Sequence, residues 1–195
     1  MKVSQRQIQK QETRKKIIEA AYEKFKNKGI VKTTTSDIAK AAGVSHGTIF
    51  AHFKTQEELL REVIQVFCSK IIMHTHSVSE KAVTMREVLS AHLEGIKEFE
   101  EFYIRLVSEM NLLPKDSISV FVSIQSALSK HLTEVAEKEI DEGKIKRLPI
   151  SFIFNTWIGL VNYYLLNREL FAPGESVIDR YKNQLVDNFI ELIKK

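Results

Sequence analysis

Gly43 and the two helix starts on either side of it restrict the fold more than any other feature of the chain. Residues 34–53 read TTSDIAKAAGVSHGTIFAHF. Thr34 stands three residues before Asp37, so hydroxyl and carboxylate can cap one another's backbone, and Ile38, Ala39 and Ala42 give the helix that follows a small apolar face. Gly43 ends that helix, because glycine tolerates the left-handed conformation a sharp C-terminal turn needs. Val44 can then drop into the corner while Ser45 caps a second helix. This second helix is two turns long and buries little beyond Ile49 and Phe53, so its purpose lies in what it exposes.

The exposed set is Ser45, His46, Gly47, Thr48, Phe50 and His52: short hydroxyls, imidazoles, one ring and one absent side chain. A glycine inside a helix costs on the order of 1 kcal/mol relative to alanine. Gly47 therefore suits a helix that another molecule approaches closely. A weak surface helix would account for each feature singly. Two capped helices and a glycine turn in register are better explained as a helix-turn-helix for DNA. Charge agrees: residues 1–60 hold 12 Lys+Arg against 6 Asp+Glu, whereas the remainder has a net charge of −2. The N-terminal part is the one suited to phosphate.

From about residue 13 to residue 63, with AGVSHGTIFAHF followed by a Glu-Glu-Leu helix start, the chain resembles the TetR/AcrR family of bacterial transcriptional regulators. Beyond that stretch, only length and helical pattern are similar. The resemblance implies a homodimer on a double-stranded DNA operator, a small-molecule effector and release of a repressor. Thr35, Ser45, His46, Gly47, Thr48, Phe50, His52 and Lys54 are the expected DNA-binding residues, with His46 and Thr48 nearest the base edges and Ser45 and Thr35 donating to phosphate. Phe50 stands where many members have a tyrosine, and keeps only apolar contact, for instance with a thymine methyl. Gln56 stands where the family often has a phosphate-binding lysine, which leaves Lys54 to compensate.

The rest of the chain reads as all-α, about nine helices in total. The polar, basic first dozen residues are expected to be a loose arm that touches phosphate or stays solvated, the solvated tail being the preferred reading. From about residue 13, Ile17, Ile18, Ala21, Tyr22 and Phe25 form a helical stripe that Gly29 stops. A fourth helix begins at a Thr55 and Glu58 capping box and carries Leu59, Leu60, Val63, Ile64, Phe67 and Ile71, shared between two domains. The helix-turn-helix domain is set at residues 1–56 and a helical regulatory and dimerisation domain at 57–195. A fifth helix runs from the Thr84 and Glu87 box to about Met110, a sixth pattern of one or two helices over about 116–142, a helix apolar nearly all round from Pro149 to about residue 170, and a last helix over 175–194.

The nearly all-apolar helix needs cover on two sides, which a second subunit would supply. Trp157, Ile158, Val161, Ile178, Tyr181, Leu185 and Phe189 are the expected interface. His92 interrupts an apolar stripe and must find a partner, in the protein or in a ligand. Phe99, Tyr103, Met110, Phe121 and Gln125 are candidates to line the same ligand space.

Other functions have little support. The sequence has no glycine-rich phosphate loop, nucleophile elbow or paired-carboxylate motif, so no enzyme and no cofactor is expected. Cys68 with His74 and His76 matches no common zinc spacing, so no metal is expected, and a single cysteine suits a reducing cytoplasm. The N-terminus lacks the apolar run of a signal peptide, and the most apolar window, 150–166, is too short and too often interrupted to span a membrane. The alternatives kept are an adaptor that uses the helix-turn-helix on protein, and an activator of the same fold.

Overall fold

The computed structural model describes residues 4–79 and 84–195, which form ten α-helices. α1 (Gln5–Lys28), α2 (Thr35–Ala42) and α3 (His46–His52) make a three-helix unit. Ile17, Ala21, Phe25, Ile38, Ile49 and Phe53 are buried together inside it. Residues 4–12 are not a loose arm. Ser4 and Gln7 form a complete capping box, and the helix then runs unbroken from Gln5 through a stretch rich in Gln, Lys and Arg, all good helix formers.

α4 (Gln56–Ser79) packs on α1 and also on α5 (Met85–Lys97) and α7 (Lys115–Asp141), so one helix is common to both parts of the molecule. At its start Thr55 Oγ1 accepts the Glu58 amide at 3.0 Å, as a capping box requires. The Glu58 carboxylate reaches one residue further back, to the Lys54 amide at 2.8 Å. Between the two parts lies an aromatic cluster: Tyr22 of α1 stacks on Phe67 of α4 with centroids 3.7 Å apart, and Phe99 and Phe102 close on the same ring.

The single helix expected from Thr84 to Met110 is two, α5 and α6 (Glu100–Glu109), followed by a short 3-10 turn, Met110–Leu112. The break falls at Phe99, whose φ of −120° and ψ of 18° leave the helical region. Glu100, next to the break, is buried and accepts the Val177 amide at 2.8 Å and the Ser176 hydroxyl at 2.5 Å, which ties α6 to the start of α10 (Val177–Ile193). The pattern over 116–142 is one helix, α7. α8 (Ile150–Leu166) stops short of residue 170, and a separate turn, α9 (Arg168–Phe171), follows it. With 116–142 as a single helix, the two extra breaks bring the count among the described residues to ten, close to the expected nine.

The expected interface residues need correction. Trp157, Val161, Ile178, Leu185 and Phe189 are all buried within the protomer, with Trp157 edge-on to Phe189 at 5.2 Å, so they face their own core and are not available to a partner. Ile158 and Tyr181 are half-buried. The apolar groups left outside on α8 and α9 are Phe152, Tyr163, Leu166 and Leu170, the last 72% exposed. Among the described residues, no helix is long and apolar enough to cross a membrane.

Candidate nucleic-acid interface

The local chemistry of residues 34–53 sets the angle between α2 and α3. Thr34 Oγ1 accepts the Asp37 amide at 3.2 Å, and the Asp37 carboxylate accepts the Thr34 amide at 3.0 Å. Lys28 Nζ adds a charged contact at 2.6 Å and, with the Thr34 bonds, holds the Asp37 carboxyl well below the usual carboxylate range. Gly43 takes φ 66° and ψ 32°, and the Val44 amide reaches back to the Ala39 carbonyl at 3.0 Å. Ser45 Oγ then caps the Thr48 amide at 3.1 Å and meets the Thr48 hydroxyl at 2.8 Å.

On the open side, Thr35 Oγ1 and His46 Nε2 are 2.9 Å apart, and the His46 ring meets Phe50 edge-on at 5.0 Å. Thr35, His46 and Phe50 thus form one ridge across both helices, with Phe50 44% exposed. A Cβ on Gly47 would meet only Ser45 Oγ at 3.8 Å, so nothing in the chain's own packing requires a glycine there. Lys54 is exposed beyond the end of α3.

His52 is not an exposed member of this surface. It is half-buried, its Nδ1 is shut away without a hydrogen-bond partner, and its carbonyl accepts Arg14 Nη1 at 2.5 Å. Burial, with the positive charges of Arg14 and Lys10, pushes the imidazole pKa down, which favours the neutral ring. Arg14 also pairs with Glu62 and lies over the Phe53 ring at 4.1 Å, so it fixes the end of α3 to α1 and α4. Gln56 is committed elsewhere as well: its Nε2 donates to the Thr33 carbonyl at 2.7 Å.

Two positioning residues were not foreseen. Glu109, at the end of α6, accepts the Val31 amide at 2.7 Å, and Arg105, one turn earlier, reaches the Lys26 carbonyl at 3.4 Å. Across about eighty residues of sequence, Glu109 acts on the segment that leads into α2 and Arg105 on the last turn of α1, a separation that leaves no local signal. Arg14, by contrast, is visible in the sequence as a cation one turn before the apolar stripe of α1.

The six residues expected around a ligand lie on α5, α6 and α7 and at the turns that bound α6. Tyr103 donates to Asn162 Oδ1 at 3.1 Å, has Gln125 beside it and meets Phe121 at a centroid distance of 6.0 Å, so three of the six converge at α6, α7 and α8. Phe99 belongs to the Tyr22 cluster, and Met110 begins the 3-10 turn. His92 is buried, and its Nδ1 accepts Trp157 Nε1–H at 3.0 Å, so this imidazole has a partner within the protein. Cys68 is buried and its thiol is pushed up to about 12 by that burial. The His74 and His76 side chains lie outside the described residues, and the described ones contain no group of three or more side chains fit to hold a metal.

A capped bihelical unit with an exposed second helix, seated on a larger helical body through a shared α4, defines a helix-turn-helix DNA-binding regulator. Comparison with known proteins agrees. Residues 17–63 match the model of the bacterial regulatory proteins of the tetR family. The chain is 27% identical over 183 residues to IcaR, the negative transcriptional regulator of the icaADBC biofilm operon in Staphylococcus aureus strain Newman, covering 91% of this chain and 95% of that protein. Over 54 residues it is 46% identical to the transcriptional regulator TtgR of Pseudomonas putida, 28% of this chain and 26% of that one. Its fold is similar to that of FadR from Bacillus subtilis, solved with stearoyl-CoA (TM-score 0.75, 20% identity, 92% of this chain and 98% of that one). It is also similar to that of KstR2 from Mycobacterium tuberculosis (TM-score 0.74, 19% identity, 100% and 97%). The chain is thus similar to TetR-family transcriptional regulators in sequence over residues 17–63 and in fold over nearly its whole length.

Proposed function

We propose that this chain is a homodimeric repressor in the cytoplasm that occupies a palindromic operator and leaves it when a small molecule enters the larger domain. Residues 1–56 are the reading head in this account and 57–195 the regulatory and dimerisation part. The observation that carries the reading is the Thr35, His46 and Phe50 ridge beside an unobstructed Gly47, on a helix too short to serve stability. His46 and Thr48 lie nearest the base edges, Phe50 supplies apolar contact, and Ser45, Thr35 and Lys54 hold the phosphates. His52 contributes by supporting the end of α3.

Dimerisation uses α8 and its neighbours through Phe152, Tyr163, Leu166 and Leu170, exposed apolar groups on one helix and the turn after it. Two-fold pairing places the two copies of α3 about one turn of DNA apart, roughly 34 Å, or further for a longer operator. A ligand beside Tyr103, Phe121 and Gln125 would press on α6, whose far end holds the lead-in to α2 through Glu109. Negative regulation by IcaR and the stearoyl-CoA found with FadR support repression and ligand release respectively.

Selection of bound duplexes from a random DNA pool tests the reading. Wild-type protein should recover a palindrome and Gly47→Arg should recover none. Enrichment of no sequence by the wild type would overturn it in favour of an adaptor.

A further inference from the structure

We propose that the first three turns of α1 form a rigid basic arm, in which Arg6 and Lys10 bind the DNA backbone beside the segment read by α3. The inference rests on the DNA-binding reading above and adds a contact outside both the helix-turn-helix and the family-matched stretch 17–63.

Arg6, Lys10 and Arg14 recur every four residues and so share one stripe of α1. At the inner end of the stripe, Arg14 is spent on Glu62 and on the His52 carbonyl at the C-terminus of α3. One turn outward, the charge of Lys10 still acts on the His52 imidazole. At a rise of 1.5 Å per residue, Lys10 and Arg6 stand about 6 and about 12 Å further along the axis than Arg14. The opposite end of α1 is held by the regulatory part, through Arg105 and the Lys26 carbonyl. The basic end therefore extends away from that body and past the end of α3.

Pairing separates these two cations from most of the others on α1, although Lys16 and Lys24 have no ion pair either among the described residues. On the same helix Arg14, Lys15, Lys26 and Lys28 each have an acidic partner: Glu62, Glu19, Glu23 and Asp37. Arg6 and Lys10 are exposed, and among the described residues neither has an ion pair or a hydrogen bond. Glu12 is the sole acid of residues 5–16 and falls on another face. The complete Ser4 and Gln7 capping box holds the arm helical without DNA, so little ordering cost is left for the moment of binding. Two uncompensated cations on a preformed helix suit a row of phosphates, contacts that position a protein irrespective of sequence.

The test compares wild type with Arg6→Gln/Lys10→Gln and the charge-keeping Arg6→Lys/Lys10→Arg. Binding to a random-sequence duplex and to the selected palindrome is measured across a salt series, with helicity checked by circular dichroism. The Gln pair should flatten the slope of log affinity against log salt by about 0.9 per lost contact, about 1.8 per protomer, and weaken both duplexes by the same factor. The charge-keeping pair should retain the wild-type slope. An unchanged slope in the Gln pair, with wild type still steep, would overturn the arm and leave the DNA-binding reading intact. Wild-type binding without salt dependence on either duplex would overturn both.

Discussion

The Glu109 carboxylate accepts the Val31 amide at 2.7 Å, so a side chain at the end of α6 grips the backbone between α1 and α2. The same carboxylate approaches Gly29 so closely that a Cβ there would lie 2.7 Å from Oε1, and Gly29 has φ 96°. Gln56 holds the other end of this segment through the Thr33 carbonyl. The lead-in to α2 is thus clamped from α6 on one side and α4 on the other.

Removing the grip should be measurable without any ligand. Glu109→Ala should cost about 1–3 kcal/mol of stability in denaturant unfolding and raise hydrogen exchange at the Val31 amide. Gly29→Ala should destabilise by about 1 kcal/mol or more, part of it from the left-handed backbone and part from the clash. In the double variant only the clash disappears, so the two costs should be less than additive. Strict additivity, with Val31 exchange unchanged, would show that the contact does not carry load.

His92 predicts a pH dependence. Burial pushes its imidazole down to about 4, against an ordinary value of about 6.5. Between those values the unfolded chain binds the proton and the folded one does not, so stability rises with pH through this window. Above about pH 6.5 there is no loss; stability falls as pH drops through the window, and the loss amounts to about 3 kcal/mol once pH is below about 4. His92→Leu should flatten this part of the stability profile while leaving the Trp157 N–H unpaired, at a further cost of about 1–3 kcal/mol. A variant with the wild-type slope would place the titrating group elsewhere.

The division of labour on the DNA side gives a third expectation. Lys54→Ala should weaken specific and random duplexes alike and lower the salt slope by about 1. Thr48→Ala should act on specific sites chiefly, by about 1–3 kcal/mol at the positions it reads. Competition binding with both duplex types separates the two, and equal losses from both substitutions on every sequence would remove Thr48 from the base-reading set.

The reading head was legible because its signals are local. Thr34 and Asp37, Gly43 and Ser45 each lie within a turn of the groups they satisfy, and each took the expected role. Thr84 and Glu87 did the same. The failures are long-range. Apolar spacing in α8 identified a helix needing cover on more than one side, but could not say which side its own core would take, and Trp157 and Val161 turned inward. The break at Phe99 has no proline to announce it, only Gly95 one turn earlier; next to it, Glu100 caps a helix more than seventy residues away. His52 looked exposed from its position on α3, and only the approach of Arg14 across α1 explains its half-burial.

The most direct test of the account is titration of the protein onto the selected palindrome, and onto the same duplex with one half-site scrambled, followed by anisotropy and sedimentation. Two protomers should occupy the intact palindrome, scrambling should weaken binding by tenfold or more, about 1.4 kcal/mol, and Gly47→Arg should abolish the difference. Equal affinity for both duplexes, or a preference that survives Gly47→Arg, would contradict the claim that paired copies of α3 read the DNA.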